Sequence, residues 1–273
     1  MLTKNKLIEL AAKSGIHRCG VIAPESYAGV EPQFSPLSIF PEAKSIIICA
    51  RQISRGSFRG IEEGTLWARA SRLIPAYYVY DLARSLENLG GVAVPCSPMA
   101  QERWPEGVKI RGGSVEPNVY PDLTWAAVAG GIGEIGLCGM LITPEFGVRQ
   151  QLGMIITDLE FERDTPFTPH LCDGESCGKC AAECPMDAID MTKLTEHEIC
   201  GVKFKTAEIN ALKCRYCPNG MFPDTSGATL PNRMTAACSR ACLNHLEETG
   251  RTKVRPSSPF RRRESWGFDL ESL

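Results

Sequence analysis

Cys172, Cys177, Cys180 and Cys184 stand in a C-x4-C-x2-C-x3-C-P run, with Pro185 directly after the last cysteine. Five more cysteines, Cys200, Cys214, Cys217, Cys238 and Cys242, follow within one short stretch. Thiolates are soft ligands, and such spacing lets one loop offer three of them to a single centre while a fourth comes from elsewhere. A pre-proline cysteine that reaches across to a second centre is the signature of ferredoxin-type iron–sulfur ligation. The chemistry expected here is the movement of single electrons.

Two [4Fe–4S] clusters need eight thiolates, since each iron takes one, and nine are at hand. Cys172, Cys177 and Cys180 are assigned to one cluster, and Cys184 crosses to the other. The pair Cys238-x3-Cys242 has the reciprocal spacing, so Cys242 closes the first cluster. Cys200, Cys214, Cys217 and Cys238 then compete for three places. The competing account is zinc, for which Cys214-x2-Cys217 is also a fitting spacing. Cys19, Cys49, Cys96 and Cys138 read as isolated buried thiols.

The elements that must hold these residues are legible in outline. Thr3 caps a helix from about 4 to 13, which stops at Gly15. Arg18 to Ala23 reads as a strand, residues 24–41 as a Pro-rich loop, and Lys44 to Ile53 as a buried strand. Residues 64–90 are helical, divided by Pro75, with Val79, Leu82, Ala83, Leu86 and Leu89 at helical spacing. Val92 to Cys96 is a strand, 122–130 a helix, and Met140 to Thr143 and Gln151 to Thr157 two further strands. This alternation predicts an α/β domain on a mostly sequential sheet over residues 1–165. From about Pro166 periodicity fades and cysteine density rises. Residues 166–250 therefore read as a small module organised by metal, followed by a basic tail over 251–273.

Bulk properties exclude several classes. A chain of 273 residues, 43% hydrophobic and 23% charged, is ordinary for a soluble globular protein. The net charge of −2 gives no field that argues for nucleic acid or an anionic membrane. Thirteen cysteines form an odd set in a chain that is not small, which favours reduced, metal-held thiols in a cytoplasmic setting over a disulfide scaffold. The amino terminus lacks the uninterrupted apolar stretch of a secretory signal, and no apolar run is long enough to cross a bilayer. The tail, with Arg251, Lys253, Arg255, Arg261, Arg262 and Arg263, reads as a solvated segment, the sharper alternative being a dock for an acidic electron carrier.

Gly131, Gly133 and Gly136 match G-x-G-x-x-G, with Asp158 downstream at the distance of a ribose-binding acid. The segment ahead of them reads as helix, however, where a dinucleotide site needs a strand. The same glycines, followed by Met140-Leu-Ile-Thr143, Gln151-Leu-Gly-Met-Ile-Ile-Thr157 and the C-x2-C-x3-C-P run, resemble the epoxyqueuosine reductase family. That family is related to the catalytic part of reductive dehalogenases. Cys19-Gly-Val-Ile-Ala23 and Pro41-Glu-Ala-Lys-Ser-Ile-Ile-Ile48 extend the resemblance to about residue 250.

The resemblance implies an α+β, nitroreductase-like sandwich followed by a ferredoxin-like module. Two [4Fe–4S] clusters would feed a corrinoid (cobalamin) held near Gly131, Gly133 and Gly136, whose bare backbone can approach a flat ring closely. Where the family often has Trp-Ile-Gly-Lys, this chain has Glu134 to Leu137. The family's catalytic aspartate falls near Pro117, where no aspartate stands; Glu116, Tyr120 and Asp122 are the nearest proton donors. The implied partners are a ferredoxin or flavodoxin as electron donor and a small-molecule or corrinoid-linked substrate. No membrane is expected, and no nucleic acid unless the substrate is a modified tRNA. A plain electron carrier, a flavin enzyme and an activator of a separate corrinoid protein are the other classes these residues allow.

Overall fold

The structure, a computed structural model, describes residues 2–58, 77–96, 119, 121–215, 217, 233 and 236–253. In chain order the described elements begin with α1 (Lys4–Lys13), β1 (Arg18–Ile22), β2 (Ser45–Gln52), α2 (Tyr77–Glu87) and β3 (Ala93–Cys96). They continue with α3 (Leu123–Ala129), β4 (Glu134–Ile135), β5 (Leu141–Ile142) and β6 (Gln150–Thr157). The cysteine-rich part adds α4 (Lys179–Ala182), β7 (Ile189–Ile199), β8 (Val202–Ile209), α5 (Ala211–Arg215) and α6 (Ala237–Glu248).

The central sheet is antiparallel throughout, in the order β1-β2-β6-β3. The sequential order expected from the alternation of elements therefore does not hold, because β6 is inserted between β2 and β3. Two features account for this. β6 is an eight-residue apolar strand whose backbone must be paired on both sides when buried. β3 is four residues long and carries Pro95, which has no N–H to give to a ladder and so suits an edge.

Both faces of the sheet are covered, which explains the unbroken run Ile46-Ile47-Ile48 in β2. Ile46, Ile48, Met154 and Ile156 pack against α3 on one face. Ile47, Ile155 and Val21 pack against α1 and α2 on the other, through Leu7, Ala11, Tyr78, Val79 and Leu82. Each fully buried isoleucine contributes about 1.5–3 kcal/mol. The first helix starts and stops as its caps predict: Thr3 Oγ1 accepts from the Lys6 amide, and Gly15 follows with φ of 75°.

The close approach of α3 to β1 requires glycine on both sides. A Cβ on Gly20 would lie 2.0 Å from the Gly130 carbonyl oxygen, and one on Gly130 would lie 2.6 Å from Ile48 Cγ2. This contact fixes where the chain leaves α3 and enters the Gly131–Gly136 stretch.

That stretch forms a small β4–β5 hairpin, Glu134 opposite Ile142 and Ile135 opposite Leu141. The β7–β8 hairpin was not anticipated, because its faces are mostly exposed and held by cross-strand pairs such as Lys205–Glu196 and Lys193–Glu208. The cysteine-rich part shares a core with the sheet part: Ile53, Phe58, Ile142 and Val148 meet Phe167, Leu171, Leu243 and Leu246. A two-pronged Arg55–Glu247 ion pair reinforces the junction, with distances of 2.9 to 3.0 Å. No described helix is long and apolar enough to cross a membrane.

Candidate functional site

Eight of the nine clustered cysteines line two voids, four to each. Cys172, Cys177, Cys180 and Cys242 line one narrow void, together with Cys138, Leu171 and His245. Cys184, Cys214, Cys217 and Cys238 line the other, equally narrow, with Ile189, Ile209 and Arg233. Apolar side chains form most of both walls, with Asp173 and His245 at the first and Arg233 at the second. Among the described residues no three His, Cys, Asp or Glu side chains group as they would around a single ion. The thiols instead surround space.

The local sequence explains how one loop supplies the first three. Gly174 and Gly178 adopt φ of 61° and 58°, turning the chain twice between Cys172 and Cys180, and no atom stands where their side chains would be. The short α4 then ends, and Cys184 passes to the neighbouring void. Helix α6 does the converse. Cys238 and Cys242 lie one turn apart, about 6 Å along the axis, and they enter different voids.

Backbone donors point at the sulfurs. The amides of Leu137 and Gly174 donate to Cys172 Sγ at 3.5 and 3.4 Å, and the Ala188 amide donates to Cys184 Sγ at 3.3 Å. Glu134 Oε1 accepts from the amides of Leu171, at 2.9 Å, and of Cys172, so it fixes the loop that carries the first ligand. Burial raises the Glu134 carboxyl above its usual range, against the pull of these amides. Burial also raises the thiols of Cys172, Cys214 and Cys242, and pushes Cys238 up to about 11. Protons alone would keep such thiols neutral; a bound metal reverses the balance and deprotonates them.

Among the described residues, a residue lining each void has a buried nitrogen with no partner: His245 Nδ1 at the first and Arg233 Nη1 at the second. His245 is braced from its other side, Nε2 lying 2.7 Å from Asp173 Oδ2. The His245 hydrogen bond holds the Asp173 carboxyl below its usual range, with the Arg251 charge adding to the effect. Arg251 also donates to the Leu171 carbonyl at 2.9 Å, and Lys253 reaches Glu145 at 2.6 Å. Arg251 and Lys253, the first two cations of the basic tail, are each paired with a carboxylate, Lys253 in a solvent-exposed pair. Arg255, Arg261, Arg262 and Arg263 lie outside the described residues.

Cys200 stands apart from both voids. It is exposed at the β7–β8 turn, where Cys200 and Gly201 have φ of 47° and 83°, the signature of a two-residue type I′ hairpin. Cys138, by contrast, is not isolated. It is buried in the Cys172 void and donates to the Cys180 sulfur, which lowers the Cys180 thiol and raises its own. A lone cysteine two residues past the glycine stretch carried no spacing signal that could have placed it there.

Glu116 and Tyr120 lie outside the described residues. Asp122 is the N-cap of α3, its Oδ1 accepting from the amides of Thr124 at 2.8 Å and Trp125 at 3.0 Å. Replacing it with Ala should lower stability by about 1 kcal/mol, seen as a lower urea midpoint, while Asn retains most of the cap. An unchanged midpoint for the Ala variant would contradict that role.

Gly131, Gly133 and Gly136 all face protein atoms. A Cβ would lie 2.6 Å from the Thr165 carbonyl oxygen at Gly131, 2.2 Å from the Ile142 carbonyl oxygen at Gly133, and 2.7 Å from Ile142 Cδ1 at Gly136. At Gly136 it would also lie 3.5 Å from Cys172 Sγ. On the side a Cβ would occupy, these glycines admit neighbouring chain and, at Gly136, Cys172 Sγ. A helix precedes them and a hairpin contains them, so the strand–turn–helix of a dinucleotide site is absent here.

A mixed α/β scaffold joined to paired cysteine-lined voids defines a recognisable class. No family model matches the sequence. The tetrachloroethene reductive dehalogenase of Desulfitobacterium hafniense is 30% identical over 172 residues, which is 62% of this chain and 26% of that protein. The epoxyqueuosine reductase of Listeria monocytogenes is 43% identical over 170 residues, 59% of this chain and 40% of that protein. A solved catabolic reductive dehalogenase in complex with 3-bromo-4-hydroxybenzoic acid shares the fold, with a TM-score of 0.58 at 17% identity, over 91% of this chain and 34% of that one. The chain spans less than half the length of these relatives. The chain is thus similar to an epoxyqueuosine reductase and to reductive dehalogenases, the groups its motifs resemble, and those proteins are reductases.

Proposed function

We propose that this chain is an iron–sulfur oxidoreductase that holds two [4Fe–4S] clusters, one at Cys172, Cys177, Cys180 and Cys242 and the other at Cys184, Cys214, Cys217 and Cys238. One observation carries the reading: eight thiols divide four and four around two adjoining voids, with one cysteine of each run crossing over. Bound there, the clusters supply single-electron transfer. The chain's own part is positioning and tuning. Amides of Leu137, Gly174 and Ala188 donate to ligand sulfurs, Glu134 fixes the first ligand, and the apolar walls exclude water, all of which set potentials.

Electrons would enter from a ferredoxin or flavodoxin and leave to a substrate or a corrinoid. Gly131, Gly133 and Gly136 remain the residues proposed to lie against such a ring, their Cβ side being occupied by neighbouring chain. Whether the chain reduces a substrate or only passes electrons on is decided by what is bound beside the iron.

Anaerobic purification with metal, sulfide and absorption analysis tests the reading. The expected content is about eight irons and eight acid-labile sulfides per chain, unchanged by Cys200→Ser. Corrinoid bands would assign the acceptor, and iron without an organic cofactor would favour an electron carrier. Zinc without sulfide would sink the proposal.

A further inference from the structure

We propose that Arg233 sets the reduction potential of the centre held by Cys184, Cys214, Cys217 and Cys238, an inference that rests on the iron–sulfur reading above. Arg233 lines that void alongside the four thiols. Its Nη1 is buried and, among the described residues, without a hydrogen-bond partner. Arg233 itself is half-buried, and this one nitrogen is a charged donor left unsatisfied, which costs more than a neutral orphan. Four thiolates closing around the void would satisfy it, because a sulfur-rich anionic centre is what such a donor lacks.

The Arg233 backbone is anchored beside the void. The Ser239 hydroxyl, fully buried on α6 one residue after Cys238, donates to the Arg233 carbonyl. Nη2 lies beside the turn at Gly139, 3.6 Å from where a Cβ would stand there.

The other void is electrically different. Its orphaned nitrogen belongs to His245, whose ring already faces the Asp173 carboxylate, and Arg251 is paired with the same carboxylate. Cation and anion offset one another there, whereas Arg233 brings an unshared donor to its void. A nearby positive charge and a hydrogen bond to sulfur both favour the reduced, more negative centre. The two centres should therefore differ, with Arg233 raising the potential of its own.

Potentiometric titration followed by EPR on the anaerobic holoprotein reads this directly, for wild type, Arg233→Gln and Arg233→Lys, with iron and sulfide measured on each. Arg233→Gln should shift one of the two couples to lower potential by at least tenfold in the reduction equilibrium, about 59 mV for one electron, at full iron content. Arg233→Lys should retain most of the wild-type value. Unmoved couples at full iron content, or equal movement of both, would overturn the inference. So would loss of iron from both variants alike, which would make Arg233 a structural brace. The wild-type iron and sulfide content separately decides the iron–sulfur reading.

Discussion

Replacing Cys184 with Ala should take the iron content from about eight to about four per chain and erase one of the two EPR signals. Cys184 follows Cys180 closely and ends the same run, so proximity alone would assign both to one centre. The structure brings Cys184 instead to Cys214, Cys217 and Cys238. Removing one of four ligands should empty that void while the Cys172 set keeps its own. The scaffold should survive, because Leu243 and Leu246 hold α6 in a core shared with Ile53, Phe58 and Phe167. Cys180→Ala is the converse experiment and should remove the other signal. Loss of the same signal in both variants would defeat the crossing assignment.

The largest effect on stability is expected at Gly20. A Cβ there would lie 2.0 Å from the Gly130 oxygen, 2.8 Å from its carbon and 3.0 Å from its Cα. All three are backbone atoms, so no rotamer change relieves the clash. Either β1 leaves β2 or α3 lifts from the sheet, and Ile48, Ala126 and Ala127 lose close packing with it. Gly20→Ala should cost about 3 kcal/mol or more, at or above the upper end for overpacking, measured by urea unfolding. Iron loading should fall too, since α3 leads into the hairpin whose Glu134 fixes the Cys172 loop. A variant with wild-type stability would mean that the α3–β1 contact is looser than described.

Strands β1, β2, β3 and β6 were legible because each is a short apolar run bounded by turn residues, and α1 because its caps are explicit. The pairing order was not, since it depends on which strand finds partners on both sides; Pro95 was the available clue, marking β3 as an edge. The β7–β8 hairpin was hidden by its exposure, as neither face makes an apolar stripe. At the candidate site, spacing alone suggested the division that the two voids display, because short loops constrain which thiols can meet. It could not separate Cys200 from its rivals. Cys-Gly is not the usual Asn-Gly signal of a type I′ turn, so the hairpin role was invisible in the residue type. Cys138 and the charged neighbours Arg233 and His245 were equally silent, being brought to the voids by tertiary contacts between distant segments.

Helix α6 presents Cys238 to one void and Cys242 to the other, and this gives the module a ruler. Their axial offset is four residues of helical rise, fixed by backbone hydrogen bonds rather than by any side chain. Substitutions along the helix leave that rise unchanged. An inserted residue between the two cysteines would instead turn one thiol by about 100° and aim it away from its void. The offset between the two thiol sets is therefore insensitive to point mutation and acutely sensitive to length. Over evolutionary time the residues lining each void can drift, and with them the affinity of each centre for its electron, while the four-residue interval itself must be kept.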